Sequence, residues 1–359
     1  MPYALIMAGG AGQRLWPRSR RVRPKQSLAI GGDDPLLRQA LDRLLPILDI
    51  TEILVVTIAD QAAVAREILP ELPEQNLLLE PVGRNTAPCV GFGATVIRRR
   101  DPDASMVVLS ADHVIRPVES FLQALEAGYR AVEEHPEALL CLGVTPKGVS
   151  SQLGHVRRGE LVGTYDGVKV YEAREFIEKP PHHEAEQLVA TGEVYWNTGI
   201  FVWKAGRILE ELAAHRPALA AGLAEIESAL GTDRRDEVVS REYPEFEKIS
   251  IDYAVMEHAQ RVLVVEGRFQ WDDVGTWESL TRVYEDDGAG NVVLGRHVGL
   301  DTTNCVIAGE PGKVVGTIGV DNLVIVQTSD AVLVCPRDRA GEVRELVERL
   351  EAEALDQHL

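Results

Sequence analysis

The sequence predicts an α/β protein: a doubly wound, mainly parallel sheet, then a small C-terminal β-rich module and a terminal helix. Three observations carry this. Short apolar runs alternate with helical patterns through the first two-thirds of the chain. The runs are continuously apolar rather than alternating, as in strands covered on both faces. From about residue 290 the texture changes to short β pieces broken by Gly, Asp and Asn. With 359 residues the chain is long enough for two domains, and the change of texture predicts them over 1–285 and 286–359.

The strands are expected at 3–8 (YALIMA), 52–58 (EILVVTI), 105–111 (SMVVLSA) and 138–144 (ALLCLGV). Helical patterns lie at 34–48, 61–69, 87–100 and 118–135. In the last, Phe121, Leu122, Leu125, Tyr129 and Val132 recur at three- and four-residue spacing. Strand–helix alternation of this kind builds parallel sheets through helical crossovers. Their ligands bind outside the carboxyl ends of the strands. The β pieces after residue 290 are irregularly spaced, so a short β-solenoid is the candidate there. Over 340–355, Val343, Leu346, Val347, Leu350 and Ala354 share one face of a docking helix.

Composition excludes several classes. A formal net charge of −19 argues against general nucleic-acid binding. It leaves room for a small anion in a locally basic pocket. Cys89, Cys141, Cys305 and Cys335 are far apart with no CxxC pair, so neither a zinc knuckle nor a disulfide scaffold is expected. Reduced thiols in a cytoplasm are the simplest reading. No apolar run reaches the roughly 18 residues of a membrane span. No basic segment precedes the first apolar run, so no signal peptide is expected.

The stretch GGAGQRLWPRSRRVRPKQ, residues 9–26, opens this acidic chain with six cations, and no Asp or Glu occurs before Asp33. Glycines let backbone N–H groups approach an anion closely. The stretch lacks the GK[ST] of a Walker A loop and the third glycine of a dinucleotide fingerprint. What remains is a glycine loop, Arg14 and, eleven residues later, Lys25, one of seven lysines in the chain. Two cations near such a loop suit a triphosphate and its pyrophosphate leaving group. A solvated basic face is the alternative.

This loop, with Leu-Trp-Pro and Pro-Lys-Gln, resembles the signature of the sugar-nucleotide pyrophosphorylases. It is similar in particular to the mannose-1-phosphate guanylyltransferases. The resemblance implies a Rossmann-like nucleotidyltransferase fold and GDP-mannose synthesis from GTP and mannose 1-phosphate. It implies that Ala8, Gly9, Gly10 and Gly12 wrap the nucleotide, and that Arg14 and Lys25 hold the triphosphate. At least two of Arg18, Arg20, Arg21 and Arg23 are expected to be solvated or structural.

Further segments occur in the family's order. LLLEPVGRNTAPCV (77–90) resembles its Glu-Pro-x-x-Arg-Asn-Thr-Ala-Pro element. A carboxylate accepts two parallel bonds, so Glu80 suits the guanine edge. Asn85 and Thr86 either bond base or ribose or start a helix. VVLSADHVI (107–115) puts Asp112 just past a strand, a hard oxygen ligand suited to Mg²⁺ bound together with phosphates. His113 is expected to be structural, not a general base. FQWDDVGTWESL (269–280) resembles Trp-x-Asp-Val-Gly-x-Trp, which aligns Asp273, not Asp272. Asp112 and Asp273 are then the implied metal pair.

REFIEKPP (174–181) matches the Glu-Lys-Pro element, so Lys179 is expected to meet the sugar phosphate as a point charge and Glu178 to accept from sugar hydroxyls. Asn197 in VYWNTGIFVW (194–203) offers donor and acceptor together. Asp252 or Glu257 in ISIDYAVMEHA (249–259) either positions the sugar or serves structure. One segment departs: in SSQLGHVRRG (150–159) Gly154 is kept, but Leu153 and His155 stand where tyrosines are usual. That leaves the sugar open, with another sugar 1-phosphate or NTP, or a non-catalytic regulatory homologue, as alternatives. The C-terminal β module is a candidate homodimer surface.

Overall fold

The computed structural model describes residues 2–10 and 12–359; Ala11 of the glycine loop lies outside them. The first strands are β1 (Pro2–Met7), β2 (Ile53–Ile58), β3 (Leu77–Glu80) and β4 (Ser105–Ser110). Next come β5 (Val114–Arg116), β6 (Leu139–Val144), β7 (His155–Tyr165), β8 (Val168–Ile177), β9 (Val194–Lys204), β10 (Val262–Gly267) and β11 (Gln270–Asp272). The four predicted apolar runs are β1, β2, β4 and β6. Among the described residues, nine strands make one sheet in the order β3-β2-β1-β4-β9-β6-β10-β8-β7, while β5 and β11 pair separately. The β1–β2, β2–β3, β1–β4 and β6–β10 pairs are parallel. β7, β8 and β9 were not among the expected strands. They are antiparallel to their neighbours and make the sheet mixed. Most of β7 is at least partly exposed, so it lacks the unbroken apolar run that marks a strand covered on both faces.

Helices cover both faces. α1 (Leu36–Leu44), α2 (Ala62–Ile68), α3 (Thr86–Arg100) and α4 (Val118–Glu134) fall within a few residues of their predicted spans. Side chains of α1, α2 and α4 share one core with Ala4 and Ile6 of β1. Those of α3, α6 (Ala205–His215) and α7 (Pro217–Ala229) share the other with Leu5. Successive residues of β1 thus feed opposite cores, which is why its run is apolar throughout. The remaining α-helices before residue 290, among the described residues, are α5 (His182–Ala190), α8 (Arg235–Glu242) and the short α9 (Leu280–Val283).

After residue 290 come β12 (Val292–Leu294), β13 (Arg296–Thr303), β14 (Val306–Ala308), β15 (Val314–Asp321), β16 (Leu323–Gln327) and β17 (Val332–Pro336), then α10 (Val343–Ala352). β12, β14 and β16 stack in parallel, as do β13 and β15, the pattern of a coiling solenoid. A third core joins this module to the opening loop. Leu15, Trp16, Val274 and Trp277 pack with Val306, Val324, Val343 and Val347.

Three of the four arginines with no chemical assignment find partners in the C-terminal module. Arg18 Nη2 donates to Gly309 O at 2.7 Å. Arg20 pairs with Asp330 at 2.8 Å, and Arg21 with Glu351 at 2.6 Å. Trp16 Nε1 donates to His358 O at 2.7 Å. Much of the opening charge therefore fastens the C-terminal module to the loop.

Candidate active site

Strand order reverses between β1 and β4, the switch point at which doubly wound sheets bind ligands. The glycine loop leaves β1 at this point. Gly12 has φ +61°, and a Cβ there would sit 2.3 Å from Lys25 Cβ, so both conformation and space demand glycine. The Ala8 carbonyl is taken by Gln26 Nε2 at 2.5 Å and Thr57 Oγ1 at 2.9 Å, which fixes the start of the loop.

Gly12, Arg14, Lys25, Asp112 and Asp273 line one cavity of about 420 Å³. Lys25 is buried, and its Nζ lies 2.7 Å from Asp112 Oδ2 and also donates to the Asp273 carbonyl. Desolvation works to raise the Asp112 carboxyl, but the Lys25 ammonium and its hydrogen bond outweigh it and hold the group below its ordinary value. Asp272 and Asp273 have different duties. Asp272 accepts from Val274 N at 2.8 Å and from Arg282 Nε at 2.5 Å, whereas Asp273 lines the cavity. Between Asp273 and Gly275, the fully buried Val274 holds φ +42°. For a β-branched residue that is a strained backbone, of the kind that clusters at functional sites. His113 is buried, its Nδ1 accepts from Trp271 Nε1 at 3.1 Å, and burial lowers its pKa. It is built into the wall.

Two carboxylates on one cavity suit a hard divalent cation shared with phosphate oxygens. No group of three or more His, Cys, Asp or Glu that could cage a metal by themselves occurs among the described residues.

Glu80, at the end of β3, is buried beneath the loop. A Cβ on Gly9 would lie 3.0 Å from its Oε2, and Tyr243 Oη donates to its Oε1. Burial pushes its pKa up to about 7, partly opposed by the Tyr243 bond. Asn85 (φ +69°) caps α3, its Oδ1 accepting from Thr86 N at 2.8 Å, while Thr86 Oγ1 accepts from Ile251 N at 2.8 Å. Both groups thus have structural partners.

The residues expected on the sugar side also converge. A Cβ on Gly154 would meet Glu178 Oε2 at 2.5 Å and Asn197 Cβ at 3.1 Å. Asn197 N donates to Gly154 O at 2.8 Å, and Asn197 Nδ2 to Asp252 Oδ1 at 2.9 Å. Lys179 Nζ pairs with Glu178 Oε1 at 2.9 Å; desolvation works against its charge, but Glu178 prevails and raises its pKa. Glu257 Oε1 accepts from Glu178 N at 3.0 Å. Desolvation, then the Glu178 charge, raises Asp252 to about 7. In the departing segment Leu153 lines a second cavity of about 350 Å³, which Arg14, Asp273 and Gly275 also border. His155 instead turns into the core, its Nδ1 3.0 Å from Leu153 O.

Sequence reasoning missed Tyr243 and Trp196. Tyr243 belongs to no motif and reaches Glu80 only through tertiary packing. Trp196 packs against the core and also borders the second cavity, while Phe201 and Trp203 stack within the core.

Fold and cleft together define a class, the nucleotidyl transferases, whose family model matches residues 3–289. The model of the MannoseP isomerase/GMP-like beta-helix domain matches residues 295–350. The chain is 37% identical over 366 residues to the mannose-1-phosphate guanylyltransferase of Escherichia coli (strain K12), covering 99% of this chain and 75% of that protein. It is 36% identical over 359 residues to the alginate biosynthesis protein AlgA of Pseudomonas aeruginosa, covering 97% and 72%. The crystal structure of mannose-1-phosphate geranyltransferase from Thermus thermophilus is similar with a TM-score of 0.87 and 40% identity, covering 98% of this chain and 99% of that one. The chain belongs to the nucleotidyl transferase family, among the mannose-1-phosphate guanylyltransferases.

Proposed function

We propose that this enzyme transfers GMP from GTP to mannose 1-phosphate by in-line displacement, giving GDP-mannose and pyrophosphate. The observation that carries the reading is the convergence of Gly12, Arg14, Lys25, Asp112 and Asp273 on one cavity at the switch point of the sheet. A phosphate oxygen of mannose 1-phosphate attacks the α-phosphorus, and no protein nucleophile is needed. Gly9, Gly10 and Gly12 admit the nucleotide close to the backbone. Arg14 and Lys25 hold the triphosphate and stabilise charge as pyrophosphate leaves. Glu80 accepts from the guanine edge. Lys179 meets the sugar phosphate, while Glu178 and Asn197 take sugar hydroxyls. Asp112 and Asp273 are the residues that would hold Mg²⁺, which supplies charge neutralisation on phosphate oxygens.

The domain boundary we favour lies at 285/286, close to the gap between the two matching family models. Among the described residues no helix is long and apolar enough to cross a membrane, and a cytoplasmic enzyme fits its substrates. Exposed Val298, Leu300 and Ile318 on β13 and β15 support a homodimer through the C-terminal module.

Pyrophosphate release measured across four NTPs and several sugar 1-phosphates, with and without Mg²⁺, tests the reading. Release is expected with GTP and mannose 1-phosphate together. Equal release with ATP, or with glucose 1-phosphate, would refute the assignment of base or sugar.

A further inference from the structure

We infer that Arg344, on the C-terminal helix, is a third cation of the triphosphate site, delivered by the solenoid module rather than by the nucleotide-binding sheet. The inference rests on the proposed reading of this cavity as the place of the nucleotide's phosphates. Arg344 lines that cavity together with Gly12, Arg14, Lys25, Asp112 and Asp273. Among the described residues it is the one lining group that comes from beyond residue 290.

Its placement is held by packing, not by chance reach. Its neighbour Val343 and, one turn on, Val347 are buried in the core shared with Leu15 and Trp16 of the opening loop. Arg18, Arg20 and Arg21 tie the same loop to Gly309, Asp330 and Glu351. A helix pinned against the loop on one face must present its adjoining face over the cavity mouth. Arg344 occupies that adjoining face.

Its charge has a temporary partner. Arg344 Nε donates to Glu348 Oε1 at 3.1 Å, an i,i+4 pair with side chains 66% and 56% exposed. An exposed pair of this kind is weak. Phosphate oxygens offer the same guanidinium a bidentate, doubly charged acceptor. Glu348 therefore parks the side chain, and a triphosphate in the cavity takes it over. The cluster also makes chemical sense, because Asp112 already engages Lys25, so further positive charge is needed to meet a triphosphate.

The test uses the full chain and calorimetric titration with GTP and Mg²⁺, and separately with mannose 1-phosphate. Arg344→Met is expected to raise the Kd for GTP by about tenfold to a hundredfold, the loss of charge-assisted bonds to phosphate. The Kd for mannose 1-phosphate stays unchanged, and Arg344→Lys falls between for GTP. Glu348→Gln releases the arginine and tightens GTP by roughly twofold to fivefold. Arg344→Met binding GTP as tightly as the parent protein would overturn the inference alone. Equal losses for GTP and mannose 1-phosphate would also overturn it, since they would mark a loosened module. If the parent protein binds none of the four NTPs, the proposed function falls and this inference with it.

Discussion

Two half-buried carboxylates, Asp112 and Asp252, respond to burial in opposite ways. At the phosphate end, Asp112 offsets its desolvation with a salt bridge to Lys25 and stays below its ordinary pKa. At the sugar end, Asp252 has Glu178 as its neighbour and is raised to about 7. Desolvation pushes both upward; the sign of the nearest charge decides the outcome. Asp112 is thereby kept anionic, the state that the proposed metal ligation requires. The sugar end can keep a proton on one oxygen while the other accepts from Asn197, and a carboxylic acid can then donate to a hydroxyl.

The largest expected effect lies at the phosphate end. Asp273→Ala should lower turnover by about a thousandfold or more, as should Asp112→Asn. Steady-state kinetics over a Mg²⁺ titration checks this, and near-normal Mg²⁺-dependent turnover in either variant would remove that residue from the metal pair. Next is Gly154→Ala at the sugar end. Its Cβ would lie 2.5 Å from Glu178 Oε2, so Glu178 and Asn197, the proposed sugar contacts, must shift. The KM for mannose 1-phosphate should rise about tenfold to a hundredfold with GTP binding unchanged.

Glu80→Gln comes third. Unchanged preference for GTP over ATP would refute base reading by Glu80. This variant also carries a stability signature. The native pKa of about 7 exceeds the ordinary 4.5, so between these values the folded wild type binds a proton that the unfolded chain does not. Wild-type stability relative to Glu80→Gln should therefore be highest near and below pH 4.5. It should fall as pH rises through 7, by of order 3 kcal/mol in all. Denaturant titrations at several pH values follow this difference.

The smallest effect completes the comparison. Asp252→Asn keeps an acceptor for Asn197 and supplies a fixed donor, which mimics the protonated acid. Below pH 7 its turnover should stay within about threefold of wild type. The same Asp→Asn exchange at 112 costs orders of magnitude. If the two exchanges cost alike, the opposed protonation of the two ends is wrong.

Much of the parallel part of the sheet was legible, because strands covered on both faces must be apolar throughout and their crossover helices must be amphipathic. β7 and β8 were not, because their exposed residues break that pattern. The motif positions could be singled out because glycine loops, carboxylates after strands and Glu-Lys-Pro carry distinctive residue types in a fixed order. Tyr243 and Trp196 carry no such local mark. Arg18, Arg20 and Arg21 showed their charge but not their duty, since their partners lie some 290 to 330 residues away.

Residue type alone, then, supplied the candidate groups: a glycine loop that can take φ +61° at Gly12, two lysines and an arginine proposed for phosphates, and carboxylates proposed for metal, base and sugar. Such properties are local, set by a side chain's charge and a backbone's freedom. Tertiary structure decided which charges face each other. Lys25 and Asp112 are 87 positions apart in sequence but 2.7 Å apart in space, whereas Asp252 meets Glu178 instead of a free cation. Because a desolvated carboxylate takes its charge state from its nearest neighbours, and those neighbours come from distant segments, only the folded chain could assign each carboxylate its role.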